Sequence, residues 1–343
     1  MLQRLADGQY AATNALPDTK TLEKLAMLWT ILVPDEQIRG KITDYTTFDK
    51  LLILSDGILA RFPFEAMIVD RNDVNPCYLL DRGPVTVYAP SASMYYNLKH
   101  SHTESEKPTI LTVGNPDYSL NRHRTPTDFF QDAQHSRRSA RIGRLNELKW
   151  TETETKRIET SSQKHGISVI RLNLAESTEA SVRKNVSGKK IVHLACHGLA
   201  EDDAGQSLFS TLALTVGDPN NSKDDGFLDL AEIFELDLKS CALAVLSACD
   251  TNLGPNQHGE GTWSMGRGML ASGAKRVVTT NWQVADDASA ILVADFIDVV
   301  NTANSPDYGT ALRFAKQTIR RGEMKFQWRH PYFWAPFVLI GPN

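Results

Sequence analysis

Two stretches decide how this chain is read: KIVHLACHG at residues 190–198 and ALAVLSACDT at residues 242–251. Each is an apolar run that stops on chemically useful residues, His197-Gly198 in the first and Cys249-Asp250 in the second. Short apolar runs bounded by polar residues read as strands buried on both faces, the signature of a parallel sheet. In an open α/β sheet, ligands bind beyond the carboxyl ends of the strands. If these two strands are neighbours, His197 and Cys249 emerge at one edge. A thiol beside an imidazole is the elementary unit of cysteine nucleophilic catalysis: the imidazole takes the proton and the thiolate attacks a carbonyl. The N–H groups of Gly198 and Cys249 could then hold the oxyanion.

The flanking sequence supports such a sheet. A charged helix is expected over 146–165, a strand over 167–172, a helix over 178–185 and strand character at Thr211–Thr215. A short helix (229–236), a Gly-spaced helix (261–272), a strand (276–281) and two long helices (285–300 and 307–321) follow. Strands alternating with helices predict a mostly parallel sheet covered on both faces. Upstream, strands are expected near Leu51–Ile53, over 84–89 and over 109–114, with a helix over 92–99. Leu22, Leu25, Ala26 and Trp29 share one helical face before Pro34, as the first helix of the domain or the tail of a longer helical array. The expected organisation is a helical lead-in (1–40), a first half (41–145) and a second half (146–343). The first half ends in a loop (121–145) with six Arg against two Asp.

Composition narrows the class. The chain has 343 residues, 41% hydrophobic and 23% charged, with a formal net charge of −4. This is ordinary globular usage and excludes a disordered, collagenous or coiled-coil chain. Nothing draws it toward nucleic acid. Four Cys are too few for a disulfide scaffold. No run approaches the roughly 18 apolar residues of a membrane span, and no secretory signal opens the chain. A cytoplasmic protein without membrane association is expected.

Other chemistries fit less well. His193 and His197 form H-x-x-x-H, but Leu194 stands where the metalloprotease motif needs Glu, and no third ligand is evident. No metal or organic cofactor is expected. The glycines from Gly259 to Gly268 lack the Lys-Ser/Thr of a phosphate loop and are expected to serve helix–sheet packing. That counts against a nucleotide-binding reading. Cys196 and Cys241 read as core thiols, and Tyr332, Phe333, Trp334 and Phe337 as core aromatics.

The ordered set LLILSDGILARFPFEAMI (51–68), VYAPSAS (87–93), IVHLACHG (191–198), VLSACDT (245–251), GEGTWSMGRGMLASGAKRVVTTNWQVAD (259–286) and PYFWAPFVLIG (331–341) resembles the CHAT domains. These are caspase-like peptidases of the caspase, separase and gingipain group, often found beside tetratricopeptide repeats. His197 precedes Cys249 by 52 residues, close to the spacing of about 50 in caspases, although SACDT replaces the caspase QAC-x-G. Arg61 and Thr262–Ser264 fall at variable-looking positions of the pattern.

The resemblance implies a caspase-like sheet with a degenerate N-terminal half and an active C-terminal half. It implies His197 as general base and Cys249 as nucleophile, cleaving protein or peptide substrates. It places Asp286, just after the Trp-x-Val of 282–284, as an acid contacting a basic P1 side chain; Asp250 and Glu260 are rival acids. Trp282 could line that pocket or pack. An orienting group for His197 is expected to be a backbone carbonyl or absent. An activating partner, or a repeat or sensor module, would order loops 199–210 and 251–261, and Arg137-Arg138 would suit self-cleavage. The alternative is a silent caspase-like scaffold that binds a peptide without cutting it.

Overall fold

The computed structural model describes residues 16–44, 46–72, 74–100, 108–119, 145–199, 211–218, 224–248, 256–257, 261–262, 264–303 and 305–343. Helix α1 (Thr19–Leu32) starts where the Asp18 carboxylate accepts the Thr21 N–H, and it buries Leu22, Leu25 and Trp29. Helix α2 (Glu36–Thr43) follows and leads to strand β1 (Lys50–Ile53). A small ribbon, β2 (Ile68–Asp70) and β3 (Cys77–Tyr78), precedes helix α3 (Leu79–Arg82). Strand β4 (Val85–Tyr88), helix α4 (Ala92–His100) and strand β5 (Thr109–Pro116) complete the first portion.

Helix α5 (Lys149–Lys164), strand β6 (Ser168–Leu174), helix α6 (Glu179–Val186) and strand β7 (Ile191–Ala195) open the second portion. Three short antiparallel strands come next: β8 (His197–Leu199), β9 (Thr211–Ala213) and β10 (Phe227–Asp229). Then follow helix α7 (Leu230–Phe234), strand β11 (Leu243–Leu246), the pair β12 (Asn256–Gln257) and β13 (Gly261–Thr262), helix α8 (Met265–Ala271) and strand β14 (Val277–Thr280). Helices α9 (Asp286–Asn301), α10 (Tyr308–Arg321) and α11 (Pro331–Trp334) lead to strand β15 (Phe337–Ile340).

Eight strands form one sheet in the order β1-β4-β15-β14-β11-β7-β5-β6. Every pairing is parallel except β14 with β15. The central strands β7 and β11 are buried at every residue, which is why they read as apolar runs interrupted only by His193. One face packs Ile191, Leu243 and Val245 against α5, α9 and α10. The other packs Val192, Leu194 and Ala244 with Val182 of α6, Ile233 of α7 and Met269 of α8. The sheet draws on both portions of the chain, since β5 sits between β6 and β7 while β4 meets β15. This is the α/β architecture expected from the alternation of elements.

The glycines near 266 act as packing residues. A β-carbon on Gly266 would lie 2.5 Å from Thr279 Cγ2 of β14, and one on Gly268 would lie 2.5 Å from Leu230 Cδ1 of α7. They let α8 approach the sheet and α7 closely. Cys196 and Cys241 are buried, and burial pushes the Cys241 thiol up to about 12. No helix among the described residues is long and apolar enough to cross a membrane.

His330 caps α11: its Nδ1 accepts the Tyr332 N–H at 3.0 Å, which requires the ring to be neutral. Burial holds its pKa down at about 4, against an ordinary value near 6.5. The unfolded chain therefore binds this proton more readily between those pH values, so the stability contributed by the neutral cap disappears as pH falls from about 6.5 to about 4. Urea unfolding should show this loss, and His330→Asn should flatten the pH dependence in that window.

Candidate active site

Strand β7 ends at Ala195, and Cys196 bends the chain so that His197 opens β8. The sequence places His197 at the end of one strand; the structure makes it the first residue of a second, paired with Ala213 of β9. Tyr118 holds this corner. Its hydroxyl accepts the His197 N–H at 3.3 Å and donates to the Ala213 carbonyl at 2.9 Å, and its ring centroid lies 5.4 Å from that of His197.

The His197 side chain is fixed by a main-chain group. Its Nε2 lies 2.9 Å from the Asn146 carbonyl, three residues before α5 begins. A carbonyl only accepts, so this contact places the proton on Nε2 and leaves the Nδ1 lone pair for a proton acceptor's role. A backbone carbonyl in this place is one of the two arrangements anticipated above.

Strand β11 is the parallel neighbour of β7, with Leu246 opposite Leu194. Beyond it, Ser247 N–H donates to the Leu194 carbonyl at 2.9 Å. The Ala248 carbonyl accepts from Thr280 Oγ1 at 2.6 Å. Cys249, Asp250 and Glu260 lie outside the described residues, as do Arg137 and Arg138. Ala248, the residue before the thiol, lines a cleft together with His197.

Asp286, the first residue of α9, lines the same cleft half-buried. Burial raises its pKa above the ordinary carboxylate value. His197 opposes that shift, while Glu154 and Asp287 add to it. Trp282, for which packing and pocket lining were both open, is packed in the core. It is 4% exposed, and its indole N–H donates to the Tyr332 carbonyl at 3.1 Å. From that segment Val284 and Asp286 face the cleft instead. Gly198 follows His197 on β8. Among the described residues, no three or more His, Cys, Asp or Glu are grouped to hold a metal ion.

Sequence reasoning overlooked Glu154 and weighed His193 only as a metal ligand. Both are fully buried, with Glu154 Oε1 2.8 Å from His193 Nε2. A signal was present for Glu154: it falls in the helical stripe Thr151, Glu154, Thr155, Ile158 that α5 buries, and a lone acid in such a stripe needs a partner.

The CHAT domain profile matches residues 22–342. The chain belongs to the CHAT domain family. No curated protein is significantly similar in sequence. Among solved structures, the Arg-specific cysteine proteinase gingipain R is 9% identical with a TM-score of 0.51, over 98% of this CHAT chain and 69% of its own. The Saccharomyces cerevisiae separase in complex with securin is 14% identical with a TM-score of 0.47, over 86% of this chain. This chain spans 15% of that separase chain. The Porphyromonas gingivalis RgpB complex of pro- and mature domains is 8% identical with a TM-score of 0.42, over 75% of this chain and 54% of its own. The CHAT chain thus has a caspase-like fold, similar to that of gingipain R.

Proposed function

We propose that this CHAT domain is a cysteine endopeptidase with a His197/Cys249 dyad. One observation carries the reading: His197 and Ala248, the residue before Cys249, line one cleft at the carboxyl ends of adjacent parallel strands. Nδ1 of His197 takes the Cys249 thiol proton, and the thiolate attacks the scissile carbonyl. The N–H groups of Gly198 and Cys249 stabilise the oxyanion. The imidazolium returns its proton to the leaving amine, a thioester forms, and water hydrolyses it with the imidazole again as base. The substrate is a protein or peptide, and an activating partner or sensor module governs the activity; family membership supports this part.

Within this reading Asp286 selects a basic P1 residue by pairing with Arg or Lys. Asp286→Asn should lower kcat/KM for Arg or Lys substrates by about 10- to 100-fold, the worth of a hydrogen bond to a charged group. Because the carboxyl's pKa is raised by burial, the preference should fade on acidification at a pH above the ordinary carboxylate range. Below that pKa the group is neutral and no longer attracts a cation. A pH profile of kcat/KM for matched Arg and Gln peptides checks both points.

The first test is cleavage of a P1-diverse fluorogenic peptide library, with Cys249→Ala as control. Cleavage after Arg or Lys that disappears in the variant supports dyad and pocket together. Cleavage after other residues keeps the dyad and removes Asp286 from the pocket role. Cleavage that persists in Cys249→Ala refutes the dyad. A wild-type chain that binds peptides, cuts none and carries an unreactive Cys249 is the silent scaffold.

A further inference from the structure

The groups that this reading needs come from three separate elements. The carbonyl that orients His197 lies just before α5, the thiol lies just beyond β11, and Asp286 begins α9. One buried polar junction joins all three. Glu154 of α5 uses both oxygens inside the protein: Oε1 lies 2.8 Å from His193 Nε2, and Oε2 accepts from Ser247 Oγ at 3.3 Å. Ser247 Oγ also lies 3.2 Å from Ser289 Oγ, one turn into α9 from Asp286. His193 is braced from behind, its Nδ1 2.8 Å from Thr112 Oγ1 on the neighbouring strand β5.

This junction lies against the cleft, which Glu154, Ser247 and Ser289 help to line. Glu154 is only 1% exposed and both its oxygens are engaged, so it is poorly placed to bind a substrate cation. Its contacts run to the chain that carries the nucleophile: Ser247 stands two residues before Cys249, and Thr280 clamps the intervening Ala248 carbonyl.

We propose that Glu154, braced by His193 and acting through Ser247, is a positioning residue that sets Cys249 against His197. The inference rests on the dyad reading. Misplacement of a reacting atom by about 1 Å can cost about 100-fold in rate, which a 3.3 Å tether two residues away is well placed to prevent.

The test is iodoacetamide alkylation of Cys249, followed by mass spectrometry of its peptide, with the rate at pH 7 divided by the rate at pH 9.5. An unassisted thiol with a pKa near 8.5 reacts about 30-fold more slowly at pH 7. The wild type should lose less than about fivefold, because the imidazole assists ionisation. His197→Ala should fall to the unassisted ratio. Glu154→Ala and Ser247→Ala should fall toward it, while Glu154→Gln, whose amide can accept from His193 and donate to Ser247, should keep the wild-type ratio.

Loss of stability alone lowers the melting temperature without moving this ratio, since accessibility cancels in it. Ser247→Ala removes a single oxygen and carries the test if Glu154→Ala does not fold. If His197→Ala lowers the ratio while Glu154→Ala and Ser247→Ala leave it at the wild-type value, the positioning role is wrong and the dyad stands. If His197→Ala leaves it unchanged, the dyad fails and the positioning role with it.

Discussion

His197→Ala should reduce kcat for peptide cleavage by about 10³-fold, with KM nearly unchanged. The magnitude follows from two roles held by one ring. In the proposed mechanism Nδ1 takes the thiol proton, and the same nitrogen then donates to the departing amine. The ring is fixed before substrate arrives: Nε2 donates to the Asn146 carbonyl at 2.9 Å, and the His197 backbone is tied to the Tyr118 hydroxyl. Its loss leaves the thiol near its ordinary pKa of about 8.5, so only a few per cent is thiolate at neutral pH. Steady-state kinetics on a peptide chosen from the library measures the effect. A fall of less than about tenfold would mean that another group takes the proton.

Lys316→Ala should destabilise the fold by about 3–5 kcal/mol, the usual result of removing one partner from a buried ion pair. Lys316 stands in the apolar stripe of α10, between Leu312 and Ile319, and is fully buried. Its ammonium lies 2.6 Å from Glu65 Oε1, and the other carboxylate oxygen accepts from the Tyr88 hydroxyl at 2.6 Å. That hydroxyl in turn accepts the Phe64 N–H at 2.8 Å. Burial and the Glu65 charge push the Tyr88 phenol well above its ordinary pKa, so it remains a donor. Without Lys316 the carboxylate would sit in the core with only a neutral phenol beside it. Urea unfolding should show the loss, and pairing Lys316→Met with Glu65→Leu should recover most of it. An unchanged midpoint for the single variant would show that water or a rearranged side chain reaches Glu65.

The order of strands and helices was legible because central parallel strands cannot disguise themselves. Residues 191–195 and 243–246 are buried on both faces, so all but the hydrogen-bonded His193 are apolar. The turn after β7 was hidden. Nothing in HGL distinguishes a strand end from the start of a three-residue antiparallel strand, whose partners lie at 211–213 and, beyond them, 227–229. The orienting group for His197 had no side-chain signature, since any residue at 146 offers the same carbonyl. The Glu154–His193 pair joins residues 39 apart on different elements, and only the helical stripe of α5 hinted at it. Trp282 was ambiguous because an indole packs as readily as it lines a pocket; in the structure it is buried, with its N–H donating to the Tyr332 carbonyl.

The position of β15 bears on how the chain assembles. This strand enters the middle of the sheet, antiparallel to β14 on one side and meeting β4 on the other. Until Phe337–Ile340 is in place, the β1–β4 pair and the strands that carry the cleft are two fragments with open edges facing each other. A nascent chain that has emerged only as far as α10 would hold both edges unpaired, a template for wrong partners. Joining them is a contact between residues some 250 positions apart, for example Ile340 with Tyr88, and such contacts form late and slowly. Strand β15 is therefore the wedge that closes the sheet, and a chain stopped short of Phe337 should aggregate rather than form a smaller stable domain.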